Sequence, residues 1–414
     1  MERNFYFKMW MVAALLCLPL LSTWAQIEIA TVEDLQKIGA DEAYPLTGSY
    51  VLVNDIDMSG VNDWVPIGMQ TGHAFSGAGK TLTNFSGTFD GQKHAIKNLT
   101  YTFNGAYAGV FTEDELTGGI FGRISGTVKN LELRNLTITG NCAGALAASL
   151  APSTTENVSV IACTISGGSE VGGLSGRTNN NGQTVRNCYI DPTTKITGEA
   201  KVGGYVGSIG QAIAIVMTNC YTAATIECTG SGTVYGLIGD FAIPANAGNM
   251  GLNAVFVMNQ AATGTSLEPF TPDNEKIGVA GSTYFACSEY FPSVDAGNAK
   301  TLSELQEKAT YTGWDFDEIW KIEAGKFPIF QWQEYPSTGI SPVKAEPLWI
   351  VSGLNQCIEV SVFEPLFLSV YDLTGKTLFA AQVNSQVSIP ANPGIYILKA
   401  KSAGKETAKK IIVQ

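Results

Sequence analysis

Between residues 117 and 240 a glycine phrase recurs five times: small residues, an apolar pair, then a further small residue. The copies are Thr117-Gly118-Gly119-Ile120-Phe121-Gly122, Cys142-Ala143-Gly144-Ala145-Leu146-Ala147, Val171-Gly172-Gly173-Leu174-Ser175-Gly176, Val202-Gly203-Gly204-Tyr205-Val206-Gly207 and Val234-Tyr235-Gly236-Leu237-Ile238-Gly239. A second marker keeps step with them, an Asn followed by a short apolar run that ends at a Gly: Asn130 to Gly140, Asn157 to Gly167, Asn187 to Gly198, Asn219 to Gly230 and Asn253 to Gly264. By subtraction these asparagines lie 27, 30, 32 and 34 residues apart. A unit of roughly that length cannot enclose a core of its own, so it must stack on its neighbours. Segments such as Leu131-Glu132-Leu133, Val158-Ser159-Val160 and Thr225-Ile226-Glu227 alternate apolar and polar residues, which makes the unit one of strands.

The pattern predicts an all-β chain whose centre, residues 106–290, is a parallel β-helix, or solenoid. Gly119, Gly144, Gly173, Gly204 and Gly236 are expected at corners, where the backbone needs positive φ or close approach to the next coil. Asn130, Asn157, Asn187, Asn219 and Asn253 suit an internal amide ladder along the stack. Cys188 and Cys220 each follow a marker Asn, and the equivalent positions Leu131, Val158 and Ala254 are apolar. The two are therefore expected as buried, stacked thiols rather than as a disulfide.

The chain of 414 residues has room for two or three domains, and 45 glycines with 45% hydrophobic residues fit a turn-rich globular β protein. Residues 1–25 read as a removable export segment: Arg3 and Lys8, an apolar stretch from Met9 to Leu21, then Thr23-Trp24-Ala25. Leu16 precedes Cys17 where a lipid-modified Cys wants a small residue, so lipidation is not expected. No other stretch is long enough to span a bilayer, so the mature chain is expected to carry no transmembrane segment. Removing residues 1–25 leaves 23 basic and 36 acidic side chains, a net charge of −13, which argues against nucleic acid as a partner.

An open solenoid end exposes apolar rungs and strand edges, so a terminal cap is required, and residues 26–105 are expected to form it together with the first strands. Thr31 to Ile38 reads as a short capped helix, with Leu35 and Ile38 facing one way. It is followed by Asn54-Asp55-Ile56-Asp57, Trp64-Val65-Pro66-Ile67-Gly68, Phe85-Ser86-Gly87-Thr88-Phe89-Asp90-Gly91 and Ile96-Lys97-Asn98-Leu99. This succession, with the phrases Gly-Gly-Leu-Ser-Gly and Gly-Gly-Tyr-Val-Gly, resembles the GLUG-repeat proteins common in Bacteroidetes and some Gram-positive surface proteins. Residues 291–333 resemble their closing element: a capping box at Thr301 and Glu304 opening a helix to Ala309, then Gly313 to Trp320 and Phe327-Pro328-Ile329-Phe330. The resemblance implies a secreted or surface-exposed β-helix, often part of an adhesin, with no fixed activity.

Residues 334–347 read as a Pro/Ser/Gly linker. Beyond it, over 348–414, short strands at Leu366 to Tyr371, Thr377 to Val383, Val387 to Ile389, Gly394 to Lys399 and Ala408 to Val413 outline a small antiparallel β-sandwich. Val370-Tyr371-Asp372-Leu373-Thr374-Gly375-Lys376 and Lys409-Lys410-Ile411-Ile412-Val413 resemble C-terminal sorting domains of type IX secretion, which implies export machinery as a partner.

Parallel β-helices include polysaccharide lyases and glycoside hydrolases, which converge carboxylates on one groove. From Gly118 to Gly264 the acids are Glu132, Glu156, Glu170, Asp191, Glu199, Glu227 and Asp240; counted from the marker Asn, no two share a phase. His73 and His94 lack the spacing of a zinc protease. Asp55 and Asp57 read as Asx caps of a turn, and Asp90-Gly91 as a hairpin turn. Tyr189 and Tyr221 follow the marker Asn by two in adjacent coils and are expected to face outward about 5 Å apart, where they could stack on sugar rings. Tyr205 and Tyr235 belong to glycine corners and are expected to pack. No catalytic residue, metal or cofactor is called for. The expected function is that of a non-enzymatic secreted or cell-surface scaffold for a glycan or surface-protein ligand, with a polysaccharide lyase or glycoside hydrolase as the alternative.

Overall fold

In a computed structural model of the chain, the described residues are 26–69, 84–102, 116–179, 182–211, 215–231, 233–241, 250–274, 277, 281–335, 349–354, 357–362, 365–402 and 405–413. The export segment with Cys17, His73 and nearly all of the expected linker lie outside them. The chain divides into two compact units, Met1–Gln333 and Glu334–Gln414.

The first unit is a β-solenoid. Each coil passes through four faces, as one set of strands illustrates: Thr127–Arg134, Thr137–Thr139, Cys142–Ala143 and Ala147–Leu150, before Ser153–Ile161 begins the next coil on the first face. Every rung pairs in parallel with its counterparts above and below, giving sheets of thirteen, six, six and five described strands. We call them the long, second, third and fourth faces. In-register stacking puts like residues on like. On the second face Tyr101, Ile138, Ile165, Ile196 and Ile226 form one inward column, and the four isoleucines are fully buried. Burying a side chain of this kind contributes about 1.5–3 kcal/mol, so the stack of rungs is itself the core.

The glycine corners act by close approach. A Cβ on Gly173 would sit 2.4 Å from the Gly204 carbonyl oxygen, and one on Gly204 would sit 2.0 Å from that of Gly236. Gly144 and Gly236 are equally crowded, and of the five corner glycines only Gly119 has a positive φ, 152°. The amide ladder is present: Asn157 Nδ2 donates to Asn130 Oδ1 (2.8 Å), Asn187 to Asn157 (3.0 Å) and Asn219 to Asn187 (3.3 Å), while Asn130 donates to Asp90 below. All four asparagines are left-handed, with φ of 50–54°, a conformation their short polar side chains tolerate. Asn253 is not the fifth member. Thr218 pairs with Asn253, so Ala254 (φ 51°) takes the ladder position, and Val255, not Ala254, is the equivalent of Cys220. Cys188 and Cys220 lie opposite each other, fully buried and as free thiols.

Four further expectations are corrected. The first strands expected within 26–105 are present, but the solenoid is not confined to 106–290, because Ile27–Ile29, Ser49–Leu52 and Thr88–Asp90 are rungs of the long face, which runs on to Ala299–Lys300. The turn at Asp90-Gly91 joins strands of one parallel sheet instead of closing a hairpin. The Thr301 capping box forms, but it opens two 3₁₀ turns, Glu304–Gln306 and Lys308–Thr310, in place of an α-helix. At the other end Val32–Lys37 is the expected α-helix, capped by Thr31 with Asp34 and burying Leu35 and Ile38. The fourth correction concerns Tyr189 and Tyr221 and is taken up with the site.

The second unit holds two antiparallel sheets. One comprises Trp349–Leu354, Cys357–Val362 and Gln386–Pro390; the other comprises Thr377–Val383, Leu366–Asp372, Gly394–Ser402 and Lys405–Val413. Alternate residues from both, such as Ile358, Val360, Leu368, Val370 and Leu398, share one core. The Asp372 carboxylate accepts from the Thr374 and Lys376 amides across a turn closed by Gly375 at φ 84°.

Candidate functional site

Tyr189 and Tyr221 occupy facing positions on adjacent rungs, with ring centroids 5.0 Å apart and planes 16° from parallel. The ladder continues through Phe256, opposite Tyr221, to Phe285, opposite Phe256. The rings leave the outer side of the long face as alternation requires, yet Tyr189 and Tyr221 are each only 1% exposed. They are covered by their own chain. Residues 301–333 run back across the long face as a strap, laying Trp314, Trp320, Phe327 and Phe330 against the two tyrosines. The Tyr221 hydroxyl donates to the Pro328 carbonyl at 2.8 Å and that of Tyr189 to Gln333 Oε1 at 2.7 Å. Gln333 Nε2 in turn donates to Glu132 Oε2 (2.7 Å) and Ser159 Oγ (2.8 Å), so a single buried amide latches the strap to three coils. Burial pushes the Tyr189 phenol well above its ordinary pKa, and it remains a donor. The pair is therefore the floor of an internal packing layer, which corrects the expectation of an exposed aromatic platform. The missed signal was the density of Tyr311, Trp314, Phe316, Trp320, Phe327, Phe330 and Trp332, a run that needs an aromatic partner surface.

The carboxylates are more convergent than phase counting implied. Glu132 is hidden beside Arg134 under the strap, Glu156 pairs with Arg186, and Asp191 caps the Ala162 amide and Thr194. Glu170 on the third face binds Arg177 on the fourth, and Lys201 Nζ reaches both Glu170 Oε1 (3.5 Å) and Asp240 Oδ2 (3.4 Å). Two carboxylate oxygens sharing that ammonium lie at most 3.5 + 3.4 = 6.9 Å apart. Asn-based phase counting missed this because Glu170 and Asp240 stand on different faces that meet across the glycine corner. Each carboxylate is neutralised by a cation, and the Glu170 side chain is 5% exposed.

His94 Nδ1 lies 3.4 Å from Asp55 Oδ1. Asp57 accepts from the Ser59 amide two residues on and from Asn98, and is the expected turn cap, whereas Asp55 accepts from the Ala95 amide and Lys97 and so ties its segment to a neighbouring strand instead of capping its own turn. Tyr205 packs as expected, fully buried, with its hydroxyl between the Cys188 and Tyr221 carbonyls. Tyr235 is only partly buried and lines a cavity.

Residues 354–414 match the secretion system C-terminal sorting domain. The tail is a sorting domain for type IX secretion. The protein is therefore exported to the cell surface or secreted, and no described helix is long and apolar enough to cross a membrane. Among curated proteins the chain is similar to Halomucin of Haloquadratum walsbyi, 31% identical over 156 residues, which is 36% of this chain and 2% of that far longer protein. Among solved structures it is similar to one from Bacteroides ovatus, provisionally named an immunoglobulin A1 protease, with a TM-score of 0.52 and 19% identity over 75% of this chain and 93% of that one. At that identity the likeness is one of fold.

Proposed function

We propose that the protein is a non-enzymatic surface or secreted rod that binds a repeating glycan or host-surface polymer through its regular faces, as the GLUG-type reading of its repeats implies. The observation that supports this most is the outer side of the second face. There Thr100, Thr137, Thr164, Lys195 and Thr225 form one row, and Thr102, Thr139, Ser166, Thr197 and Glu227 form a second, flanking the buried isoleucine column. Successive members of a row are one rung apart, about 4.8 Å, so mostly hydroxyl groups recur at a fixed interval over five coils. Such a surface suits many weak, repeated hydrogen bonds to a polyhydroxyl polymer, whose sum gives avidity without a catalytic centre.

The test is to challenge the exported chain with a glycan array and insoluble polysaccharides, analysing the supernatant by mass spectrometry. Retention without new oligosaccharides is expected. Thr137→Lys with Thr164→Lys should weaken retention at least tenfold, and retention unaltered by that pair would overturn the assignment of this face.

A second reading, polysaccharide cleavage, has one observation in its favour: Glu170 and Asp240 both lie within 3.5 Å of the Lys201 ammonium, a convergence of two carboxylates of the kind glycoside hydrolysis uses. Their neutralisation by Arg177 and Lys201, and the burial of Glu170, weigh against it. Release of oligosaccharides that disappears in Glu170→Gln would establish it.

A further inference from the structure

The third face ends at Ser266–Glu268, and beside this last rung lies a cavity of about 190 Å³. Space of that size holds on the order of six waters, enough for one sugar ring and little more. Its principal lining is Tyr235, Glu268, Phe270, Asn274, Tyr284 and Asp295. Tyr235 and Glu268 face each other across adjacent rungs, while Phe270 and Tyr284 meet edge to face at 4.8 Å and form an aromatic wall.

The polar lining retains unused capacity. Among the described residues the hydroxyls of Tyr235 and Tyr284 bond to no protein group, and Glu268 accepts only from Ser293 at 3.4 Å. Burial, with Glu268 and Asp240 nearby, raises the Tyr235 pKa, so its phenol stays protonated as a donor. Phenol donors, carboxylate acceptors, a carboxamide and an aromatic wall around a ring-sized space are the complement of a polyhydroxyl ring. Among the described residues the lining contains two carboxylates and no basic side chain, a lining that favours a neutral ring over an anionic one.

We propose that this cavity is a binding subsite for one neutral pyranose ring. The inference rests on the glycan-binding reading above and narrows it to a place in the fold. It assigns Glu268 as the acceptor for a sugar hydroxyl and Tyr235 as a donor, with the ring set against Tyr284 and Phe270.

Saturation-transfer NMR on the full exported chain tests it, using the methyl pyranosides of glucose, galactose, mannose and N-acetylglucosamine one at a time, with glucuronic acid as the anionic control. At least one neutral pyranoside should receive saturation, and glucuronic acid none. Glu268→Gln and Tyr235→Phe should each weaken that binding about tenfold with unchanged circular dichroism; the two conservative replacements guard against a variant that merely fails to fold. Silence from all four neutral pyranosides, undiminished binding in both variants, or equal binding of glucuronic acid would overturn the assignment. Array binding that persists in the Glu268→Gln, Tyr235→Phe double variant would leave the rod reading standing and remove only this subsite.

Discussion

The inner side of the second face and the outer side of the long face are both dry, and they are closed by different partners. Ile138, Ile165, Ile196 and Ile226 each meet a copy of the same residue one coil away. Tyr189 and Tyr221 meet Trp314, Trp320, Phe327 and Phe330, residues that lie about a hundred positions further along the chain and repeat nothing. A column built by copying can lengthen by a coil without loss. A strap that starts beyond Lys300 and ends with Gln333 hydrogen-bonded to Glu132 fits one number of coils only. The repeat thus supplies the material of the solenoid, and the strap fixes its length along this face.

The largest effect is expected where copies meet most closely. Gly204→Val would drive a side chain into the Gly236 carbonyl, 2.0 Å from its Cβ, with the Thr222 hydroxyl 2.8 Å away. A loss of more than about 4–5 kcal/mol should follow, read in urea denaturation as a chain that no longer folds cooperatively. Gly264→Ala is the matched control: its φ is 88° with nothing within 4 Å of the added Cβ, so only about 1–2 kcal/mol is expected. Equal losses in the two would mean that the corner contact does not hold the coils.

Next is the strap. Trp320→Ala empties a fully buried ring position and should cost about 3–5 kcal/mol, yet the column beneath has its own core. Limited proteolysis should therefore cut within 301–333 first, leaving the coils intact. Simultaneous loss of strap and column would make the two regions one cooperative unit.

Smaller is the latch. Gln333→Leu strips hydrogen bonds from the buried Ser159 and Tyr189 and from Glu132, which keeps Arg134 as a partner, so a net loss of about 1–3 kcal/mol is expected in thermal denaturation.

The contrast also explains what could be read without coordinates. The parallel coils, the glycine crowding, the Asn130 to Asn219 ladder and the 5 Å tyrosine spacing follow from residues whose partners are their own repeats, so periodicity displays them. The ladder's end was misread because the last coil places Asn253 one residue early, leaving Ala254 in the left-handed position. The burial of Tyr189 and Tyr221, and the meeting of Glu170 with Asp240 around Lys201, depend on one-off contacts across faces or over long chain distances, which no repeat announces. The sorting domain was legible for a local reason, since its Asp372 turn and alternating strands are complete within short segments.

The misread position offers the smallest and only stabilising test. Ala254→Asn should extend the amide ladder by one rung and relieve an alanine at positive φ, raising stability by about 1 kcal/mol in thermal denaturation. No gain would mean that the ladder is held by the backbone alone.

Hydrogen exchange of the intact exported chain, followed by mass spectrometry, decides most directly whether the aromatic side of the long face is an interior surface. Peptides spanning Tyr189–Ile190 and Ile215–Thr222 should exchange slowly, and the strap peptides around Trp320–Lys321 and Ile329–Phe330 should be protected alongside them, with only the strap peptides quickening in Trp320→Ala. Strap peptides that exchange within seconds while the coils stay protected would show the tyrosines to be open to solvent and would contradict the account.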